Sequence, residues 1–239
     1  EVLSKLIEAG MNVSRHNFSH GNHKEHEEKI NTVKKLRRKY NKPIAIMLDT
    51  KGPEIRTGNF KGDKVEIKEG EHFTIYCGED IIGDESKCSI TYSELSNDVK
   101  KGDSILIDDG LVGFEVESIE ANKINCIVKN SGVIGNHKGV NVPGVSVSIP
   151  AITEKDKDDL KFGCSMEVDM VAASFIRKAV DVMAIRKVLE SNGGQGIQIF
   201  SKIESQEGVD NIDEIIKFSD GIMVARGDMG VEIPIEKVP

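Results

Sequence analysis

A lysine and two carboxylates, each at the end of an apolar run, are the residues of this chain most suited to chemistry. The run that opens at Ile197 ends in Ser201-Lys202-Ile203-Glu204, and the run that opens at Gly221 ends in Arg226-Gly227-Asp228. Side chains two apart on a strand face the same way, so Lys202 and Glu204 point together. A cation beside two carboxylates at parallel strand ends suits Mg²⁺ and a phosphate. The same charges would also serve as solvated salt-bridge partners, and spacing alone leaves both readings open.

A second polar cluster, Arg15, Asn17, Ser19 and His20, follows a short strand candidate at 11–13 and is closed by Gly21. Asn17 and Ser19 offer oxygen ligands to a hard cation. The Arg15 fork can grip a phosphate or a carboxylate. Asn and Ser are also common helix caps, and the residues alone favour that role. Further along, Asp49-Thr50-Lys51-Gly52 stands where the apolar 44–48 run stops. Arg56 and Lys138, taken singly, read as ordinary exposed charges.

The elements that position these groups alternate. Apolar runs near Val13 and at 44–48, 168–172, 197–200 and 221–225 read as strands buried on both faces. Between them lie helical stretches. One, at about 24–40, turns Ile30, Val33 and Leu36 inward and stops at Asn41 and Pro43. Thr153 and Asp156 open a helix like a capping box, with Gly163 as its stop. The next helix is expected to bury Val180, Met183, Val188 and Leu189. Ser205 is expected to cap a helix carrying Ile212, Ile215 and Ile216.

Alternating strands and helices argue an α/β fold with a parallel sheet. Polar residues at strand C-termini point to a TIM (β/α)8 barrel. A Rossmann sheet is disfavoured, because no GxGxxG follows an early strand. Five strands cannot close eight, so the barrel is incomplete in this chain. The chain reads as a fragment lacking both ends, with strands missing outside Glu1 and Pro239.

Between Pro53 and Pro150 the pattern changes. Val65/Ile67, Phe73/Ile75, Val112/Phe114/Val116 and Ile124/Cys126/Val128 alternate with polar neighbours, and Gly-Asp turns separate them. That is the pattern of an inserted all-β, barrel-like domain hinged as a lid. The expected division is residues 1–52 and 151–239 for the two parts of the barrel, with 53–150 as the lid.

The net charge of −8 comes without a basic stripe, which argues against a nucleic-acid partner. The 4 cysteines form no CxxC pair and read as reduced thiols of a cytoplasmic protein. No apolar run approaches the roughly 18 residues that span a membrane, and no signal peptide is visible.

Six long stretches carry a resemblance: MNVSRHNFSHG (11–21), LDTKGPEIRTG (48–58), KGVNVPG (138–144), SIPAITEKD (148–156), FSKIESQEGV (200–209) and MVARGDMGVEIP (223–234). In content, order and spacing the chain resembles the pyruvate kinase family throughout. The resemblance implies a phosphotransferase of glycolysis that moves a phosphoryl group from phosphoenolpyruvate to ADP, giving pyruvate and ATP. It implies Mg²⁺, or Mn²⁺ in its place, together with K⁺, and a homo-oligomer, tetrameric in the family. Lys202 resembles the lysine that stabilises the moving phosphoryl group, and Arg15 a contact to the substrate phosphate. Glu204 and Asp228 match the Mg²⁺ ligands, and the backbone at Gly227 and Asp228 the substrate-carboxylate site. Asn17, Ser19, Asp49 and Thr50 match the K⁺ ligands. Asn17, His20, Arg56 and Lys138 match positions that meet the nucleotide. The family's proton-relay threonine falls beyond Pro239. Replacing Lys202 by Met is expected to cut kcat with little effect on folding. Two rivals stand beside this reading. A Mg²⁺-dependent lyase or aldolase would explain the carboxylates but not Arg56, Lys138 or the lid. A binding-only piece would fit the missing strands.

Overall fold

The computed structural model describes all 239 residues, Glu1–Pro239. The chain opens with α1 (Val2–Glu8), β1 (Val13–Asn17), α2 (His23–Tyr40) and β2 (Ala45–Asp49). Then come β3 (Lys64–Ile67), β4 (His72–Cys77), β5 (Lys87–Ile90), the short α3 (Leu95–Asp98), β6 (Ser104–Ile107), β7 (Val112–Glu120), β8 (Lys123–Val128), β9 (Gly132–Gly135) and β10 (Val140–Asn141). The remainder is α4 (Glu154–Ser165), β11 (Met170–Ala173), α5 (Ala179–Ser191), β12 (Gln198–Ile203), α6 (Gln206–Asp210), α7 (Ile212–Phe218), β13 (Gly221–Val224) and α8 (Arg226–Glu232), with a 3-10 turn at Ile235–Lys237.

These elements form two compact units. The first holds Glu1–Pro53, Ala151–Glu204 and Gly208–Val224; the second holds Glu54–Pro150, Ser205–Glu207 and Ala225–Pro239. In the first unit a 5-stranded sheet runs in the order β1-β2-β11-β12-β13. Every pairing in it is parallel. One face, with Ile46, Leu48, Val171, Ala173, Ile199 and Ser201, is wholly buried. Helices α2, α4 and α5 supply the covering layer through Ile30, Val33, Leu160, Val182, Ile185 and Leu189. The opposite face carries Arg15, Asn17, Asp49 and Lys202, because strand side chains alternate and the register aligns Asn17 with Asp49.

The second unit is built on a 6-stranded sheet, β10-β6-β7-β8-β4-β5, and a 2-stranded β3-β9 ladder. Residues 55–58 link its two edge strands: Thr57 bridges Ile90 on β5, and Arg56 bridges Gly139 beside β10. The alternating residues Phe73, Ile75, Phe114, Val116, Ile124, Cys126 and Val128 face one continuous apolar core.

Several local expectations change. Gly163 does not stop α4, which continues to Ser165. Its missing side chain matters for packing instead, since a Cβ there would meet Leu48 Cδ1 at 2.7 Å. Helix α5 buries Val182, Ile185 and Leu189, whereas Val180 and Met183 face outward. Asp181 sets that face by turning its carboxylate in to accept the N–H groups of Arg177 and Lys178. The single helix expected after Ser205 is two short ones, α6 and α7, and Ile216 is exposed. Asn22, not Asn17 or Ser19, caps α2 by accepting the Glu25 N–H at 3.1 Å.

Candidate active site

The strands run further than their apolar runs, and the extra residues are the polar ones. β1 continues through Arg15 to Asn17, β2 through Asp49, and β12 through Lys202 to Ile203. Arg15 on β1 pairs with Asp49 on the neighbouring β2, and Lys202 on β12 reaches Asp49 across the intervening β11. Arg15 Nε donates to Asp49 Oδ2 at 2.5 Å, and its Nη2 pairs with the same oxygen. Lys202 Nζ lies 2.9 Å from Glu204 Oε1 and 3.3 Å from Asp49 Oδ1. Ala172 on β11 is the register partner of Asp49, and so small a side chain leaves Lys202 room to reach across.

Lys202, Glu204 and Asp49 are buried, the last two to 1% exposure. The reading as solvated salt-bridge partners therefore fails for Lys202 and Glu204. Burial pulls the Lys202 ammonium toward neutrality, but the Glu204 and Asp49 carboxylates outweigh it and hold its pKa above the usual lysine value. The group stays charged at neutral pH.

Ser174, the residue after β11, carries a role that no sequence motif announces. Its Oγ accepts from Lys202 Nζ at 2.8 Å and donates to the Thr50 carbonyl at 2.6 Å. Its N–H donates to Thr50 Oγ1 at 3.0 Å. Ser174 thus ties the ends of β2, β11 and β12 together. The available signal was a hydroxyl at a strand terminus, the position held by Asn17, Asp49 and Lys202 on other strands. Phe175 adds a backbone donor, its N–H reaching Glu204 Oε2 at 2.5 Å. The turn after β2 is anchored as well: Gly52, at φ +73°, donates its N–H to the buried Asp156 at 3.0 Å. A Cβ on Gly52 would strike Ser174 and Phe175 at 2.8 Å, so this turn tolerates only glycine.

The loop after β1 completes the cluster. Asn17 Oδ1 accepts the Ser19 N–H at 2.9 Å, and the Phe18 N–H donates to the Asp49 carbonyl at 2.9 Å. His26 on α2 donates through Nε2 to the His20 carbonyl at 2.9 Å and stacks on Phe18 with ring centroids 3.9 Å apart. Arg15, Asn17 and His20 are exposed, and Ser19 is half-buried.

The remaining expected residues lie in the second unit. Arg56 and Lys138, distant in sequence, sit on adjoining backbone: Thr57 N–H donates to the Lys138 carbonyl at 2.8 Å. Arg56 is held by Glu54 at 2.6 Å and the His137 carbonyl at 2.6 Å. Lys138 Nζ pairs with Asp108 at 3.0 Å. Gly227 and Asp228 occupy the first turn of α8 and are exposed. A Cβ at Gly227 would meet nothing within 4 Å, so the fold itself does not require glycine there.

The donor set suits hard cations. Asp49 Oδ1 is buried and takes no hydrogen bond, Lys202 lying near it without good alignment. Asn17 is the register partner of Asp49, and Thr50 follows it in the chain. No group of three or more His, Cys, Asp or Glu is arranged to enclose a metal.

The model for the pyruvate kinase barrel domain matches residues 1–239. The chain is 66% identical to the pyruvate kinase of Clostridium acetobutylicum over 239 residues, 100% of this chain and 50% of that protein. It is 59% identical to the pyruvate kinase of Clostridium perfringens with the same coverage. Against the pyruvate kinase of Staphylococcus saprophyticus it is 54% identical over 241 residues, 41% of that protein. The chain thus spans about half the length, or less, of these relatives.

Proposed function

Because the chain belongs to the pyruvate kinase family, we propose that its full-length protein transfers a phosphoryl group from phosphoenolpyruvate to ADP, giving pyruvate and ATP. In this reading residues 1–52 and 151–239 are parts of a (β/α)8 barrel, and 53–150 is an inserted lid that excludes water during transfer. The protein acts as a cytoplasmic homo-oligomer. No helix is long and apolar enough to cross a membrane.

The observation that supports this reading best is the buried, charged Lys202. Phosphoryl transfer needs alignment and positive charge more than covalent help. Lys202, fixed by Glu204 and Ser174 at 2.9 and 2.8 Å, presents an ammonium that need not reorganise as charge moves. Arg15, anchored through Nε to Asp49, has a half-exposed guanidinium free to bind the phosphate of the donor. The open space at Gly227 admits the donor carboxylate to the backbone there. Asn17, His20, Arg56 and Lys138 bind the nucleotide.

Glu204 and Asp228 would hold Mg²⁺ or Mn²⁺, and Asn17, Ser19, Asp49 and Thr50 would hold K⁺. Bound there, the cations supply charge neutralisation between two anionic substrates. A pyruvate-release assay on the full-length protein tests the proposal. Turnover of phosphoenolpyruvate and ADP should require Mg²⁺ and rise far more with K⁺ than with Na⁺. Absence of pyruvate would overturn the function, and indifference to K⁺ would overturn the monovalent site.

A further inference from the structure

Helix α8 carries Asp228 at its start and Glu232 at its end, four residues apart and so on one helix face. Asn141, the last residue of β10, donates from Nδ2 to Glu232 Oε1 at 2.7 Å. Three residues before Asn141 stands Lys138, itself fixed by Asp108 at 3.0 Å and by its own N–H to Thr57 Oγ1 at 2.9 Å. The turn that follows Asp108 reaches the same helix: a Cβ on Gly110 would lie 3.7 Å from Val231 Cγ1. Lys138 and α8 are therefore joined at two points, one of them a hydrogen bond to a carboxylate.

Resting on the function proposed above, we infer that the Asn141–Glu232 hydrogen bond is a positioning device, which sets α8, and with it Asp228, against the segment that carries Lys138. Both side chains act through others. Neither needs to touch substrate.

The chemistry of the pair favours this over a simple surface contact. Glu232 is half-buried, and no cation pairs with it. Burial raises its pKa, with the Asn141 hydrogen bond pulling the other way. A carboxylate placed where water is scarce, facing a single amide, binds that amide firmly and tolerates its loss badly. The amide in turn is on a strand whose Val140 and Asn141 pair with Ile107 and Leu106 of β6, so its position is set by the sheet.

The test uses the full-length protein with Glu232→Ala, Asn141→Ala, the double variant and Glu232→Gln. Each alanine variant should raise both the Mg²⁺ activation constant and the KM for ADP about fivefold or more. The double variant should be no worse than the worse single one, and Glu232→Gln, which keeps an acceptor oxygen, should restore near-parental constants. Amide exchange should rise in both 138–142 and 226–232 when either residue is cut. Losses that multiply, parental Mg²⁺ and ADP constants in the alanine variants, or exchange that rises only around the mutated residue would overturn the inference. A parent protein without phosphotransfer would instead overturn the proposed function, and the exchange measurement would still decide whether the two segments are coupled.

Discussion

The two ends of the parallel sheet use the same chemical groups to opposite effect. At the N-terminal ends, Asp169 stands just ahead of β11 and Asp220 just ahead of β13. Asp169 Oδ2 accepts the Ile46 N–H at 2.7 Å and pairs with Arg37 at 3.0 Å. Asp220 Oδ2 accepts the Ile199 N–H at 2.8 Å and pairs with Arg186 at 2.5 Å. Each arginine also donates to the carbonyl just ahead of a strand, Ile44 before β2 at 3.3 Å or Ile197 before β12 at 2.7 Å. The same clamp thus occurs twice, a structural echo of the βα repeat. At the C-terminal ends, Asp49 is more deeply buried than either aspartate, yet its Oδ1 lacks a hydrogen bond. A buried, incompletely satisfied carboxylate costs stability. The N-terminal ends tie each carboxylate to a backbone N–H and a guanidinium; at the C-terminal ends one buried carboxylate oxygen stays without a hydrogen bond.

The hardest test of this contrast is Lys202→Met. On the proposed function, turnover should fall about a thousandfold or more with the loss of the charge assigned to the moving phosphoryl group. The buried position of Lys202 adds an expected cost in stability. Lys202 lies between buried Asp49 and Glu204, and removing it takes a cation away from two buried carboxylates. Arg15 still faces Asp49, so stability should drop by roughly 3 kcal/mol, toward the low end for a broken buried pair. Steady-state kinetics and denaturant unfolding of the full-length protein measure the two effects. Near-normal turnover would remove the distinction between the sheet ends.

Asp169→Ala attacks the other end. It strips a backbone N–H and a guanidinium of their shared acceptor, at a site partly open to water. About 2 kcal/mol of stability should be lost, with kcat and KM unchanged. A variant that is as stable as the parent, or that loses activity in proportion, would show that the N-terminal clamp is not the structural half of the pair.

What the sequence made legible follows the range of the interaction. Lys202 and Glu204 share a face because they are two apart, and the Thr153–Asp156 capping box spans three residues, both hydrogen bonds of which are present. The alternating strands of the second unit needed only a local pattern. The strands outrun their apolar stretches because hydrophobicity stops before hydrogen bonding does. Arg15 stays in β1 thanks to Asp49, 34 residues away, and no local window contains that partner. Ser174 is invisible to a local window for the same reason: its importance lies in joining Lys202 and Thr50, which come from strands on either side of its own. Asp228 is legible as the charge that closes an apolar run, whereas Lys138, taken alone, reads as an exposed charge and takes its role only from family resemblance.

Ser174→Ala sharpens the contrast by a smaller step. The ammonium would keep both carboxylates and lose the hydroxyl that aims it. Removing a hydrogen bond to a charged group is worth about 1.5 kcal/mol, or roughly tenfold in kcat. The KM for ADP should stay put, because Ser174 acts on Lys202 alone among the charged groups. A change in KM without a change in kcat would assign Ser174 to substrate binding instead.

The mildest prediction asks whether saturated carboxylates behave alike outside the sheet. Asp98 in the second unit accepts from Tyr92 Oη at 2.7 Å and from the Ser148 N–H and hydroxyl, each at 3.0 Å. Burial and the Asp98 charge raise the Tyr92 phenol to about 12 from its ordinary 10.0. Between those values the unfolded chain has released the proton and the folded chain retains it. The contribution is therefore fully present below pH 10.0 and is lost as pH rises through about 12. Allowing for solvent screening near the phenol, the loss should be about 1 kcal/mol. Tyr92→Phe removes the titrating group, so its stability should fall less steeply over that window than the parent's. Equal slopes for the two proteins would mean that Asp98 is not saturated in the way Asp169 and Asp220 are, and the division would then describe the sheet alone.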